Sequence, residues 1–212
     1  MKKTFIIIMA LVIFSCNKAK ESMQDAMTST IEKAIESKTG VQVELPNADA
    51  IENNSAWVTY KADDSVYLKE TEKLQAVAIF QKDNDGLSIA LQITGEGGKS
   101  LMAIISHVPD DFSLPLVGKF AVSNAYDGIN PVATLMFMNI TENGMTTSAM
   151  PFEGELKITK LTKDDIRFEI LAKGGEPSDA ESPSNWKTLT GKGKVIAPMI
   201  QSYGIDKNNV LK

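Results

Sequence analysis

The sequence predicts a mainly β protein, an antiparallel β-sandwich or barrel of about nine or ten strands with one N-terminal amphipathic helix. Three observations carry that expectation. From residue 56 onward apolar residues recur with a period of two, the spacing at which alternate side chains of a strand share one face. Short polar turns such as "KDNDG" and "TKDD" separate these runs. Upstream of residue 56, a stretch beginning at Ser22 has its apolar residues at helical spacing instead.

The first element is an apolar run from Phe5 to Phe14. It is too short to cross a bilayer, which takes about 20 residues of helix. Lys2 and Lys3 precede it and the small residue Ser15 follows, the order of an export signal. Ile13-Phe14-Ser15-Cys16 resembles the lipobox of bacterial lipoproteins, in which an aliphatic and a small residue precede the cysteine to be acylated. Phe14 is bulkier than the residues usual there. The resemblance implies cleavage after residue 15 and lipid attachment at Cys16, the only cysteine of the chain. A diacylglycerol plus an N-acyl chain at Cys16 anchors stably, since each buried methylene contributes about 0.8 kcal/mol and two chains suffice. Asn17 stands where inner-membrane retention signals have Asp, so the expected location is the cell envelope, lipid-anchored at the outer membrane.

The chain then divides into a lipidated tether (16–21), an amphipathic helix (22–40), a linker (41–55) and a β domain (56–212). Ser22 and Asp25 offer a start resembling a capping box, and Met23, Met27, Ile31, Ala34 and Ile35 form the apolar stripe. Gly40 is the stop. Glu32, Lys33, Glu36 and Lys38 make the opposite face mixed in charge, so the helix is expected to pack on its own domain rather than on lipid, where a Lys/Arg-rich face is favoured. "LPNADAIENNS" (45–55) has turn residues and no sustained period.

Within the domain, "AWVTY" (56–60) and "SVYLKE" (65–70) flank "KADD", and "KLQAVAIFQ" (73–81) and "LSIALQIT" (87–94) flank a turn with Asp-Gly. "SLMAIISHV" (100–108) is apolar on both faces, as a central strand would be. "VGKFAVSN" and "VATLMFMNI" follow. "GELKITKL" and "IRFEILAK" form a hairpin with Ile166, Phe168 and Ile170 inward and Arg167, Glu169 and Lys173 outward, and "KTLTGKGKVIAP" closes the series. The polar loop 174–186 is expected to be pinned by Trp186. Through "GKFAVSN" and "GELKITKL" the body resembles β-rich lipoproteins of Bacteroidetes-type bacteria, which implies an all-β envelope protein and no particular activity. Asp64-Ser65-Val66 likewise resembles the O-glycosylation acceptor of those bacteria.

Composition narrows the function classes. Without residues 1–15 there are 20 basic residues against 27 acidic ones, a formal net charge of −7. Arg167 is the single arginine, which argues against nucleic acid as a partner. "TGEGGKS" (94–100) lacks the first Gly of a phosphate-binding loop, because position 93 is Ile. "GKGK" (191–194) has Ile at 196 where a dinucleotide fingerprint needs Gly. With His107 the only histidine, a zinc centre with two His ligands cannot form within one chain.

Four candidates stay open. His107 in "SHVPDD", paired with Asp110 or Asp111, is a candidate base, against a plain strand-end histidine. Asp63 with Asp64, and Asp83 with Asp85, would meet at one end of an up-and-down meander and offer oxygen ligands to a cation, though such residues are standard in solvated turns. Met136 and Met138 share one strand face, a soft-metal reading set against adaptable core filling, which is preferred. Cys16 is the lipid attachment site that the lipobox resemblance implies. The expected protein is non-catalytic and cofactor-free, a lipid-anchored envelope protein whose β domain binds a small molecule, a glycan or another envelope protein. The alternatives are an envelope hydrolase using His107 with Asp110 or Asp111, and a structural or assembly lipoprotein presenting a sheet edge.

Overall fold

A computed structural model describes residues 53–122, 126–142 and 144–212, apart from the side chain of Glu96. The signal segment, Cys16, the 22–40 helix and nearly all of the linker lie outside the described residues. Twelve strands form one sheet: β1 (Ser55–Ala62), β2 (Ser65–Leu68), β3 (Leu74–Asp83), β4 (Gly86–Gly95), β5 (Lys99–Val108), β6 (Leu116–Ala121), β7 (Val132–Thr141), β8 (Gly144–Thr147), β9 (Met150–Leu161), β10 (Asp165–Gly175), β11 (Lys187–Ile196) and β12 (Met199–Tyr203). The protein is mainly β, as its two-residue period predicts. Among the described residues no helix is long and apolar enough to cross a membrane.

Two features correct the expectation. The sheet is mixed rather than antiparallel, because β12 runs parallel to β3 from Met199↔Val77 to Tyr203↔Gln81, and β6 meets β7 in parallel at Lys119↔Val132. The strand count is twelve because β8 and β12 add to the ten runs visible in sequence. β8 is four exposed residues, "GMTT", with no alternation to betray it. Also, β1 starts at Ser55, and Asn54 is already built in: its side chain donates to the Ala76 carbonyl at 2.7 Å and accepts from the Ala76 amide at 2.9 Å.

The strand path runs β3-β4-β5-β7-β6-β9-β10-β11-β1 and returns to β3 through the bridge Ala56↔Leu74. Beyond that bridge the two strands diverge, β2 continuing the sheet from β1 and β12 from β3. Inward side chains pack as one continuous cluster with Tyr60, Phe80 and Phe168 fully enclosed. Their register explains "GKGK". A Cβ on Gly193 would sit 2.2 Å from the Phe168 ring, and one on Gly191 would come within 3.0 Å of Ile170 Cδ1 and the Thr59 carbonyl oxygen, so these glycines let neighbouring strands pack closely. "GEGG" makes the β4–β5 hairpin turn through a single 3-10 turn (Glu96–Gly98); Gly98 has φ +81° and packs where a Cβ would strike the Ile140 carbonyl.

One end of the sheet carries the β3–β4, β5–β6 and β9–β10 turns, and the C-terminal segment closes over it. Val210 is fully buried, the Lys212 amide donates to the Leu161 carbonyl at 2.8 Å, and the Lys212 ammonium lies 4.6 Å from the centre of the Phe112 ring. The 174–186 loop is held as expected: Trp186 Nε1 donates to the Asp179 carbonyl at 2.8 Å and its ring meets Phe152 at 5.5 Å.

Candidate functional site

His107 stands on a β-bulge. Leu87 pairs with Val108 and Ile89 with Ile105, so Ser106 and His107 together oppose Ser88 alone. His107 takes φ +57°, a left-handed conformation that costs a non-glycine residue roughly 1–3 kcal/mol. Two contacts hold it there. Nδ1 is 3.0 Å from the Asp85 carbonyl oxygen, and the imidazole stacks on Tyr126 with centroids 4.1 Å apart and planes 7° from parallel. If that nitrogen donates, Nε2 is left as the acceptor.

The expected acidic partners of His107 are engaged elsewhere or open to solvent. Asp110 accepts from the Lys82 ammonium at 2.6 Å, an exposed ion pair. Asp111 is exposed. The backbone turns between His107 and Phe112, whose amide donates to the Pro109 carbonyl at 3.2 Å.

Beside the bulge lies a polar cleft of about 430 Å³ lined by Lys82, Leu87, Asp110, Gly204, Ile205, Asp206 and Asn209. Asp206 caps the last 3-10 turn by accepting from the Asn208 amide at 2.8 Å. The β3–β4 hairpin therefore joins the two features, with the Asp85 carbonyl of its turn on His107 and Lys82 and Leu87 of its strands in the cleft.

The two acidic turns do not converge. Because β1 and β3 are antiparallel at Ala56↔Leu74 and run away from that bridge, Asp63 and Asp64 lie at the opposite end of the sheet from Asp83 and Asp85. Asp63 accepts from the Thr188 amide at 2.9 Å, and Asp83 from the Asp85 amide at 2.9 Å, so both act as turn residues. No group of three or more His, Cys, Asp or Glu suited to a metal occurs among the described residues.

The methionine pair departs from the core reading. In β7 Phe137 points inward, whereas Met136 and Met138 point out, Met136 being 46% exposed. Ile140 and Met145, paired across β7 and β8, are 58% and 62% exposed. Alternation alone assigns these residues to one face without saying which face is buried.

Acid-base positions elsewhere are structural. Asp165, nearly buried at the start of β10, is held below the usual carboxylate range chiefly by the Arg167 guanidinium, with Lys160 adding to it and burial opposing. Asp127 is drawn down to about 2 by the Asn130 amide and side chain and the Ile129 amide. No protein family, curated protein or solved structure matches this chain.

Proposed function

We propose that the chain is an exported envelope protein, anchored through acylated Cys16 at the outer membrane, whose β domain is a non-catalytic binding module for a small polar molecule or a glycan. The observation that carries the binding reading is the combination of a packed interior with a polar cleft at one rim. A closed ladder whose inward residues form one cluster behaves as a filled barrel, so ligand chemistry moves to its mouth. The cleft volume lies in the range of small-molecule sites, and Lys82, Asp206 and Asn209 supply groups of both hydrogen-bonding senses. The N-terminal residues support the anchor through charge, apolar length and the placement of Cys16.

The strained His107 favours one further reading, an envelope hydrolase using His107 with Asp110 or Asp111. That reading needs Asp110 released from Lys82. A structural or assembly role draws on the edges of β2, β8 and β12, each unpaired on one side among the described residues.

Intact mass of the protein taken from its native membranes tests the proposal. Under denaturing conditions an acylated Cys16–Lys212 chain is expected, and the unacylated mass would overturn the anchor. Under native conditions a reproducible excess is expected that disappears on denaturation and is lost in Asp206→Ala/Asn209→Ala but kept in His107→Ala. Absence of any excess would overturn the small-ligand reading in favour of the structural one.

A further inference from the structure

The outer surface of the sheet is divided into two unlike halves. Across β9, β10 and β11 the outward rows are charged, Lys157, Glu169 and Lys192 in one and Lys160, Arg167 and Lys194 in the next, as a solvated face should be. Across β12, β3, β4, β5 and β7 the outward row is Met199, Val77, Gln92, Met102 and Met136, and the neighbouring row is Gln201, Ile79, Ala90, Ile104 and Thr134. Ile140 and Met145 form a further apolar pair on the β7–β8 ribbon, beyond a row that is polar apart from Met138. Neither row contains a charge. Met136, Ile140 and Met145 are exposed and the other residues of the two rows are half-buried, and such a concentration of apolar side chains on an outer face marks a contact site, unlike the scattered apolar residues of any surface.

We infer that this face is the docking surface for residues 22–40 of the same chain, the segment whose sequence is amphipathic. The lengths agree. As a helix, the stripe from Met23 to Ile35 extends ~18 Å. The row from β12 to β7 crosses five strands, or ~19 Å at ordinary strand spacing. The chain also enters at the right place. Asn54 is bonded on both sides to Ala76 of β3, one of the strands that carry the apolar face, so residues 41–53, spanning at most roughly 45 Å, can return to it.

Chemistry favours the same occupant. Met23, Met27 and Ile31 would meet Met102, Ile104 and Met136, and unbranched thioether side chains adapt to one another without a preformed groove. Glu32, Lys33, Glu36 and Lys38 on the other side of the helix then replace an apolar exterior by a charged one, matching the β9–β10–β11 half. With the helix docked, the tether 16–21 is the segment left between domain and anchor.

Oxidation of the full chain in native membrane vesicles by dilute peroxide tests the inference, with sulfoxide formation at Met136 and Met145 followed by peptide mass. Slow oxidation is expected in the natural chain and oxidation at least several-fold faster in Ile31→Asp/Ile35→Asp. Equally fast oxidation in both would mean an open face, and equally slow oxidation in both would mean that lipid or a second copy covers it; either result overturns the inference. As a second measurement, Ile31→Cys with Met136→Cys should give a 31–136 cross-linked peptide under mild oxidant, formed within one chain. Failure to cross-link, or linkage only between two chains, overturns it as well.

Discussion

Tyr60 shows how a single side chain joins core packing to a polar requirement. Its ring is fully buried against Tyr67 and Phe137, at 5.5 and 6.2 Å. Its hydroxyl lies 3.2 Å from Ser148 Oγ, and because Ser148 already donates to the Ala149 carbonyl, Tyr60 is the donor. Burial pushes the phenol up to about 12. A folded-state value raised above the unfolded one, about 10, stabilises the fold fully below pH ~10, and that contribution is lost as pH rises from there through 12. Roughly 2–3 kcal/mol is at stake. Absorbance titration of the phenolates should therefore show a late component, and Tyr60→Phe should flatten the decline in stability between pH 10 and 12. A variant with the same alkaline decline as the natural chain would show that Tyr60 is not its source. Nothing in "AWVTY" marks Tyr60 as the buried tyrosine beyond its place in the alternation.

At the scale of an element, the β9–β10 hairpin illustrates why turns of like composition do unlike things. "KADD" and "TKDD" read alike, yet Asp63 accepts from the backbone of β11 whereas Asp165 gathers two cations. Asp165 accepts from Arg167 Nη2 and from Lys160 Nζ, both at 2.8 Å, and its amide donates to Thr162 Oγ1. The cations are half exposed, so screening reduces the benefit, and Asp165→Asn should cost about 1 kcal/mol at neutral pH. The pH dependence has a definite sign. A depressed carboxylate stabilises above its unfolded value near 4 and loses that benefit as pH falls through its folded value, so the natural chain and the variant should converge in urea midpoint below pH ~4. A difference unchanged down to pH 2 would exclude the charge as its cause. The strand runs themselves were legible because alternation is a local property. β8 escaped because a short ribbon exposed on every residue has no alternation to read, and β12 because "MIQSY" is too brief to separate from the end of β11.

For the whole molecule, closure depends on two remote pieces, the Ala56↔Leu74 bridge and the C-terminal cap. Removal of residues 207–212 takes away fully buried Val210, partly buried Leu211 and the amide bond to Leu161, and should cost about 2–4 kcal/mol, a large share of the stability of an ordinary domain. Denaturant unfolding would register it as a lower midpoint with little change in slope, and a midpoint equal to that of the full chain would show that the cap is dispensable. The sequence by itself determined the mainly β class, the ten principal strand runs, the inward residues Ile166, Phe168 and Ile170 of β10 and the absence of phosphate-loop and dinucleotide motifs, because these follow from neighbours one to eight positions apart. Only the tertiary structure decided that β6–β7 and β3–β12 pair in parallel, that the acidic turns lie at opposite ends, that Asp110 goes to Lys82 instead of His107, and that the methionine face is the outer one. These depend on which strand lies beside which, and strand order is set by long-range burial that a period of two leaves open.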